Sequence, residues 1–159
     1  MEKTVINVTK RNGKKEPLDL DKFHKVVQFA CEGLSGVSAS EVELKSHIRF
    51  FDGIKTSEVQ ETLIKAASEL ITEDNPNYQY VAGRLVNYHL RKEIYGQFEP
   101  PSLLEQYSNV ETMGLYDSYI GLNYTEEEFD KLNNYIKHDR DLSLVYVAME
   151  QFRGKYLVK

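Results

Sequence analysis

Apolar positions along the first twenty residues follow the spacing of strands. Residues 4–9 (TVINVT) form a run of β-branched side chains, which predicts a strand. Asn12-Gly13 predicts a tight turn, because both residues tolerate a positive φ. Residues 14–20 (KKEPLDL) are the predicted return strand, and Pro17 limits it to a sheet edge. The pattern predicts an N-terminal β-hairpin.

The spacing then changes to that of helices, and four helices are predicted before residue 96. The first is capped by Asp21 and ends near Gly33. The second runs to about residue 51, with either Ser38 and Glu41 or Ser40 and Glu43 as its capping box. The apolar face of the first consists of Phe23, Val26, Val27, Ala30 and Leu34.

The third and fourth helices carry the clearest apolar stripes. Thr56 and Ser57 are alternative caps of the third, and Pro76 is the predicted first residue of the fourth. The inner face of the third helix consists of Val59, Leu63, Ala67 and Leu70. That of the fourth consists of Tyr78, Val81, Ala82, Leu85 and His89.

Pro100-Pro101 ends this pattern, because neither residue continues a helix. Helices are predicted over residues 102–114, over 125–136 with a Thr125/Glu128 capping box, and over 141–152. Residues 154–159 predict a strand. The fold class is therefore mainly α, with a β-hairpin and four helices in residues 1–95 and further helices in residues 96–159.

Composition excludes several classes of protein. The 159 residues include a single cysteine, Cys31, so neither an internal disulfide nor a zinc site of several thiolates is expected. A reducing, cytoplasmic location fits, and neither a signal peptide nor a membrane-spanning run is visible. The net charge of -5 argues against wrapping nucleic acid. We find no nucleophile beside a base, so no catalytic residue and no metal site are predicted.

Positive charge nevertheless gathers in residues 8–22. Lys10, Arg11, Lys14, Lys15 and Lys22 lie there, close to two predicted helix starts. Helix N-termini present free N–H groups and favour phosphate, and the Thr56 hydroxyl would add a contact. One interpretation is a phosphate or nucleotide pocket between the hairpin and the helices. The other is a solvated hairpin tip, which explains Lys14 and Lys15 well.

Lys92 is relevant to the choice between a phosphate pocket and a solvated hairpin tip. It follows Tyr78 by 14 residues and Leu85 by 7, so it continues the inward stripe of the fourth helix. A lysine there either extends its ammonium group to solvent or meets an anion. His89 on the same stripe is interpreted as a packed core residue.

These residues together resemble a known family. Residues 8–34, 46–67, 77–85 and 90–103 resemble the ATP-cone, the regulatory nucleotide domain of ribonucleotide reductases. Residues 138–158 resemble the helical lead-in to the catalytic barrel of class Ia alpha subunits. The resemblance implies that ATP or dATP, with Mg²⁺, binds as an allosteric effector and controls overall activity through association of alpha subunits with radical-generating beta subunits.

The resemblance also implies site residues. Lys10, Lys22, Thr56 and Lys92 would contact phosphates, and Arg11 would be an auxiliary charge. Residues 16–22 would form the wall against base and ribose, namely Glu16, Pro17, Leu18, Asp19, Leu20, Asp21 and Lys22. The sequence departs from the family at Asp19, where relatives often have Asn, and at Gln60, where some have His.

Three functional hypotheses follow. The first is a regulatory domain whose partners are the rest of the alpha subunit and the beta subunit. The family's catalytic cysteines are expected beyond residue 159, so the chain would be either a shortened alpha subunit or the first half of a naturally divided one. The second, a cone-bearing transcriptional repressor, needs a zinc ribbon that one cysteine cannot form. The third is a degenerate cone that serves as an assembly surface.

Overall fold

The computed structural model describes residues 6–47 and 50–157. It is mainly helical, with a short sheet near the N-terminus, as predicted. The strands are β1 (Asn7–Thr9), β2 (Lys15–Pro17) and β3 (Ile54–Lys55). The helices are α1 (Leu20–Cys31), α2 (Ala39–His47), α3 (Thr56–Ser68), α4 (Tyr78–Tyr95), α5 (Leu103–Thr112), α6 (Tyr119–Asn123), α7 (Glu126–Tyr135) and α8 (Tyr146–Gln151). A 3₁₀ helix spans His138–Ser143 and a π-helical turn spans Phe152–Tyr156.

The predicted hairpin is confirmed, and it is part of a three-stranded sheet. β1 pairs antiparallel with β2, and Gly13 takes a φ of +80° in the turn between them. β1 also pairs in parallel with β3, giving the order β2-β1-β3. Pro17 therefore lies in an edge strand, where its missing N–H costs no ladder bond.

The chain divides into two compact units. One comprises the described residues of 1–90 and 141–159, and the other comprises residues 91–140. The functional boundary expected near residue 95 stays a prediction.

The core of the first unit lies between α1, α2, α3, α4 and the sheet. All five stripe residues of α4 are buried, including His89 with 6 % exposure. Three of the four inner positions of α3 are buried as well, and Leu70 is half-buried. The Tyr78 hydroxyl accepts a hydrogen bond from the Ser38 N–H at 3.0 Å and donates to Glu41 at 2.5 Å. This pair of bonds joins the start of α4 to the start of α2.

Several helix ends differ from the prediction. Asp19, and not Asp21, is the N-cap of α1, because its carboxylate accepts the Lys22 N–H at 3.0 Å. Ser38 accepts the Glu41 N–H at 3.4 Å, which favours the first of the two proposed caps of α2. That helix is described to His47, and Phe50 and Phe51 are not helical.

The starts of α3 and α4 also shift. Lys55 is the N-cap residue of α3, and its N–H donates to Glu58 at 2.9 Å, so Thr56 is the first helical residue. α4 begins at Tyr78, because Pro76 instead accepts the Gln79 N–H in a turn at 3.1 Å.

The predicted C-terminal strand is wrong in its described part. Residues 154–156 belong to the π-helical turn, and the Leu157 N–H donates to the Phe152 carbonyl at 3.0 Å. Residues 158 and 159 of that prediction, and residues 4, 5, 48 and 49 of two others, lie outside the described residues.

The second unit is built on α5, α6 and α7. The rings of Tyr107 and Phe129 lie 5.4 Å apart, and the Tyr107 hydroxyl donates to Glu111 at 2.7 Å. The Arg91 guanidinium lies 5.0 Å from the Phe98 ring centroid and donates to the His138 carbonyl at 3.1 Å. A cavity of about 360 Å³ lies beside Tyr107.

Candidate functional site

The parallel pairing of β1 and β3 brings two of the predicted site residues to one edge of the sheet. Thr9 stands opposite Lys55 in this register, and each strand ends at that pair. Lys10 therefore follows β1 at the same edge where Thr56 begins α3. The Thr9 hydroxyl donates to the Gly53 carbonyl at 2.9 Å, which further fixes the two strands.

Asp52 strengthens the same junction. One carboxylate oxygen of Asp52 accepts the Asn7 N–H at 2.8 Å and the Asn7 side-chain amide at 2.9 Å. These bonds lower the pKa of Asp52, the backbone bond having the larger effect. The loop before β3 is thereby held against the first residue of β1.

Lys10 is held by the hairpin itself. Its ammonium group forms an ion pair with Glu16 at 2.9 Å, and about a third of each side chain is exposed. The Lys10 N–H donates to the Lys14 carbonyl at 2.8 Å, and the Gly13 N–H donates back to Lys10 at 2.9 Å. Glu16 thus positions a partly exposed ammonium group, and an anion of higher charge could replace Glu16 as its partner.

The first turn of α3 offers hydrogen-bond donors at this edge. Thr56 and Ser57 are both half-buried, and backbone N–H groups of a first helical turn have no intrahelical acceptor. Gln60 lies one turn further on the same face as Thr56. Its side-chain oxygen is buried and accepts no hydrogen bond from the described residues. An unpaired buried acceptor costs about 1–3 kcal/mol, so a ligand donor there would be favourable.

Tyr88 is a neighbour of Lys10 that sequence reasoning missed. Its half-buried side chain lies on α4 within electrostatic range of the lysine. Burial raises the pKa of Tyr88, and the Lys10 charge partly offsets this rise. The signal was available, because Tyr88 follows Leu85 by three residues and precedes Lys92 by four.

The start of α1 lies beyond the other end of β2. Pro17 stands opposite Asn7, and the Leu18 N–H donates to the Ile6 carbonyl at 2.8 Å. Beyond them, the Lys22 ammonium lies 3.6 Å from the Asp19 carboxylate, on an exposed surface. The cap bond from the Lys22 N–H is the main reason that the pKa of Asp19 is lowered.

The remaining predicted residues are distributed over three places. Leu20 and Asp21 are exposed in the first turn of α1, and Arg11 is exposed in the hairpin turn. Lys92 is half-buried in the last turn of α4 and belongs to the second unit. The structure thus gathers Lys10, Glu16 and Thr56 at one edge, and it pairs Asp19 with Lys22 at the start of α1.

Cys31 has the environment of an inert thiol. It is half-buried, and burial raises its pKa to about 11. The thiolate, the reactive form, is therefore scarce at neutral pH.

The described residues contain neither a cluster of metal-ligating side chains nor a membrane-spanning helix. No group of three or more His, Cys, Asp or Glu side chains in residues 6–47 and 50–157 is arranged to hold a metal ion. Within the same ranges, no helix has the length and apolar character needed to cross a membrane.

Comparison with known proteins supplies the family. The architecture is that of a helical domain with a small mixed sheet whose basic edge meets the start of a helix. Residues 6–93 match the family described as the ATP cone domain. The chain belongs to the ATP-cone family.

The chain is also similar to ribonucleotide reductase subunits. It is 54 % identical over 152 residues to ribonucleoside-diphosphate reductase 1 subunit alpha of Escherichia coli (strain K12), covering 96 % of this chain and 20 % of that protein. It is 40 % identical over 157 residues to the alpha subunit of Enterobacteria phage T4, covering 98 % of this chain and 20 % of that protein. The chain thus spans about a fifth of the length of these curated relatives, and it matches their N-terminal region.

Proposed function

We propose that the chain is the allosteric domain of a ribonucleoside-diphosphate reductase alpha subunit and binds ATP or dATP. The observation that carries this proposal is the sheet edge where Lys10 and the start of α3 meet. A lysine, a threonine hydroxyl and free N–H groups at a helix N-terminus are the chemistry that binds phosphate. Membership of the ATP-cone family supports a nucleotide as the anion.

The triphosphate would lie against Lys10 and the first turn of α3. Its oxygens would replace Glu16 as the partner of the Lys10 ammonium group. The family resemblance implies that Lys22 and Lys92 are further phosphate contacts and that Arg11 is an auxiliary charge, and we include these residues in the proposal. Mg²⁺ would accompany the triphosphate, held by phosphate oxygens and water, as this cation prefers.

The base and ribose would lie along residues 16–22. ATP and dATP differ by one hydroxyl, so a site distinguishes them only if that hydroxyl has a partner. Asp19 and the buried oxygen of Gln60 are the two alternative acceptors that we propose for this contact, at opposite ends of β2. Two nucleotides with different affinities for two assembly states would then switch overall activity.

The proposed partners are the rest of the alpha subunit and the radical-generating beta subunit. In the second unit, large apolar side chains are more than half exposed at Met113, Leu115, Tyr119 and Leu122. These exposed side chains lie within ten residues of one another along the chain, and we propose that they contact other polypeptide. This surface also favours the second candidate function, an assembly surface that is indifferent to nucleotide.

Calorimetric titration with ATP and with dATP separates the two candidates. We expect Lys10→Ala to weaken binding at least tenfold, because a charge-assisted contact to phosphate contributes about 1.5–3 kcal/mol. Lys14→Ala removes the same charge at the exposed hairpin tip and should change affinity less than twofold. A folded chain that binds neither nucleotide contradicts the regulatory proposal and favours the assembly surface.

A further inference from the structure

The C-terminal part of the first unit packs back on α4. We call residues 141–157 the return segment. Met149 is 5 % exposed and belongs to the core, and Leu144 and Tyr146 pack against it. Arg84 on α4 donates to the Leu142 carbonyl at 3.1 Å. The return segment is therefore anchored to the same core that supports the proposed nucleotide site.

The return segment has a second, ionic attachment to α3. Arg153, in the π-helical turn, donates to Glu61 of α3 at 2.6 Å and to Glu150 at 3.0 Å. His89 of α4 lies 3.3 Å from the same Glu61 oxygen. The Arg153 side chain is 26 % exposed, so its charge is partly screened from solvent. Glu61 is thus the point where α3, α4 and the return segment meet.

Glu61 lies close to the proposed phosphate position along α3. It follows Thr56 by five residues, which is about 7.5 Å along the helix axis and about 140° around it, so the two side chains project from different faces of α3. Two negative groups at that range repel each other, and a neighbouring cation offsets the repulsion. Arg153 is such a cation, and it is held by the docked return segment.

We propose that Arg153 is a positioning residue for the nucleotide site. Its ion pair with Glu61 couples docking of the return segment to phosphate binding at the start of α3. The inference rests on the proposed function. Docking neutralises Glu61 and favours the bound triphosphate, and by linkage the bound triphosphate favours docking.

Four proteins test the coupling by calorimetry with ATP at low ionic strength: the unaltered chain, Arg153→Gln, Glu61→Gln and Lys155→Gln. Arg153→Gln leaves the Glu61 charge uncompensated, so we expect ATP affinity to fall about threefold. Glu61→Gln removes that charge, so affinity should stay equal or rise. Lys155→Gln is the matched control, because it removes an exposed cation two residues from Arg153 and should change affinity less than 1.5-fold.

A loss of ATP affinity in Arg153→Gln that Glu61→Gln does not share distinguishes coupling from simple loosening of the structure. A merely structural ion pair predicts that both variants change ATP affinity in the same direction. That result, or unchanged affinity in both, overturns the inference while the proposed function stands. If the unaltered chain does not bind ATP, the proposed function and this inference both fail, which distinguishes that outcome from a failure of the coupling alone.

Hydrogen exchange of residues 141–157 gives a second readout. ATP should slow exchange there at least twofold in the unaltered chain and in Lys155→Gln, and should have no such effect in Arg153→Gln or Glu61→Gln. Exchange that is equal with and without ATP in the unaltered chain, at saturating nucleotide, overturns the coupling. Thermal unfolding of each variant verifies that it is folded.

Discussion

Asp19 shows how one residue connects the local structure of this chain with its proposed ligand. Its carboxylate caps α1 by accepting the Lys22 N–H, and the same side chain is our candidate ribose contact. Asn also caps helices well, so an Asn at this position would keep the cap without the charge. The charge itself changes how stability responds to acid.

We expect the free energy of unfolding to decrease at acid pH, because carboxylates such as that of Asp19 become protonated there. The pKa of Asp19 is lowered in the fold, so its contribution is complete above the usual value of 3.8 and is lost as pH falls through the lower folded value. Asp19→Asn should be less sensitive to pH below 4 than the unaltered chain, and Asp19→Ala should be less stable at pH 7, with a difference that shrinks as pH falls toward 3. Urea unfolding between pH 7 and pH 3 measures this. Equal pH dependence of Asp19→Asn and the unaltered chain would contradict it.

Some site residues could be found from sequence, and others could not. Lys10 and Thr56 stood out because charge and helix-start signals are local. Their position at one sheet edge could not be found, because it depends on β3, whose two residues are too few to show a period. Asp19 and Asp21 are both good caps, and only the backbone path into α1 decides between them.

At the scale of elements, the contact between α4 and the return segment depends on a glycine. A Cβ on Gly83 would lie 2.2 Å from the Leu144 carbonyl oxygen, which is too close for any side chain. The helix therefore carries Gly83 because backbone from the return segment crosses it there. A glycine inside a helix otherwise costs about 1 kcal/mol relative to alanine.

Gly83→Ala should therefore destabilise the first unit, against the usual effect of alanine in a helix. We expect a loss of about 1–3 kcal/mol in the free energy of unfolding, since the carbonyl must move. Gly154→Ala is the matched control, because nothing lies within 4 Å of its added Cβ. Denaturant unfolding of both variants measures the difference. A Gly83→Ala protein as stable as the unaltered chain would show that the return segment does not pack closely there.

Elements with strong periodicity were predicted, and those defined by tertiary contact were not. The stripe of α4 and the Asn12-Gly13 hairpin follow from local rules. The sequence pattern did not indicate α6, whose five residues span little more than one turn. The apolar C-terminal residues resembled a strand, but the described ones continue α8 into a π-helical turn.

At the scale of the whole chain, we assign different roles to the two units. The first holds the sheet edge, α3 and the return segment, and we assign nucleotide binding to it. The second carries the exposed apolar side chains of residues 113–122, and we assign contacts with other polypeptide to it. The chain spans about a fifth of the length of these relatives, and both assignments concern that stretch alone.

Assigned backbone amide spectra, recorded during a titration with Mg²⁺-ATP, would show whether the nucleotide binds where Lys10 meets the start of α3. We expect saturable shifts concentrated in residues 10, 16–22 and 56–60, with smaller ones in the return segment and none at residues 12–15 of the hairpin tip beyond those of an inorganic phosphate control. The absence of saturable shifts at millimolar ATP, or shifts confined to residues 103–135, would contradict it.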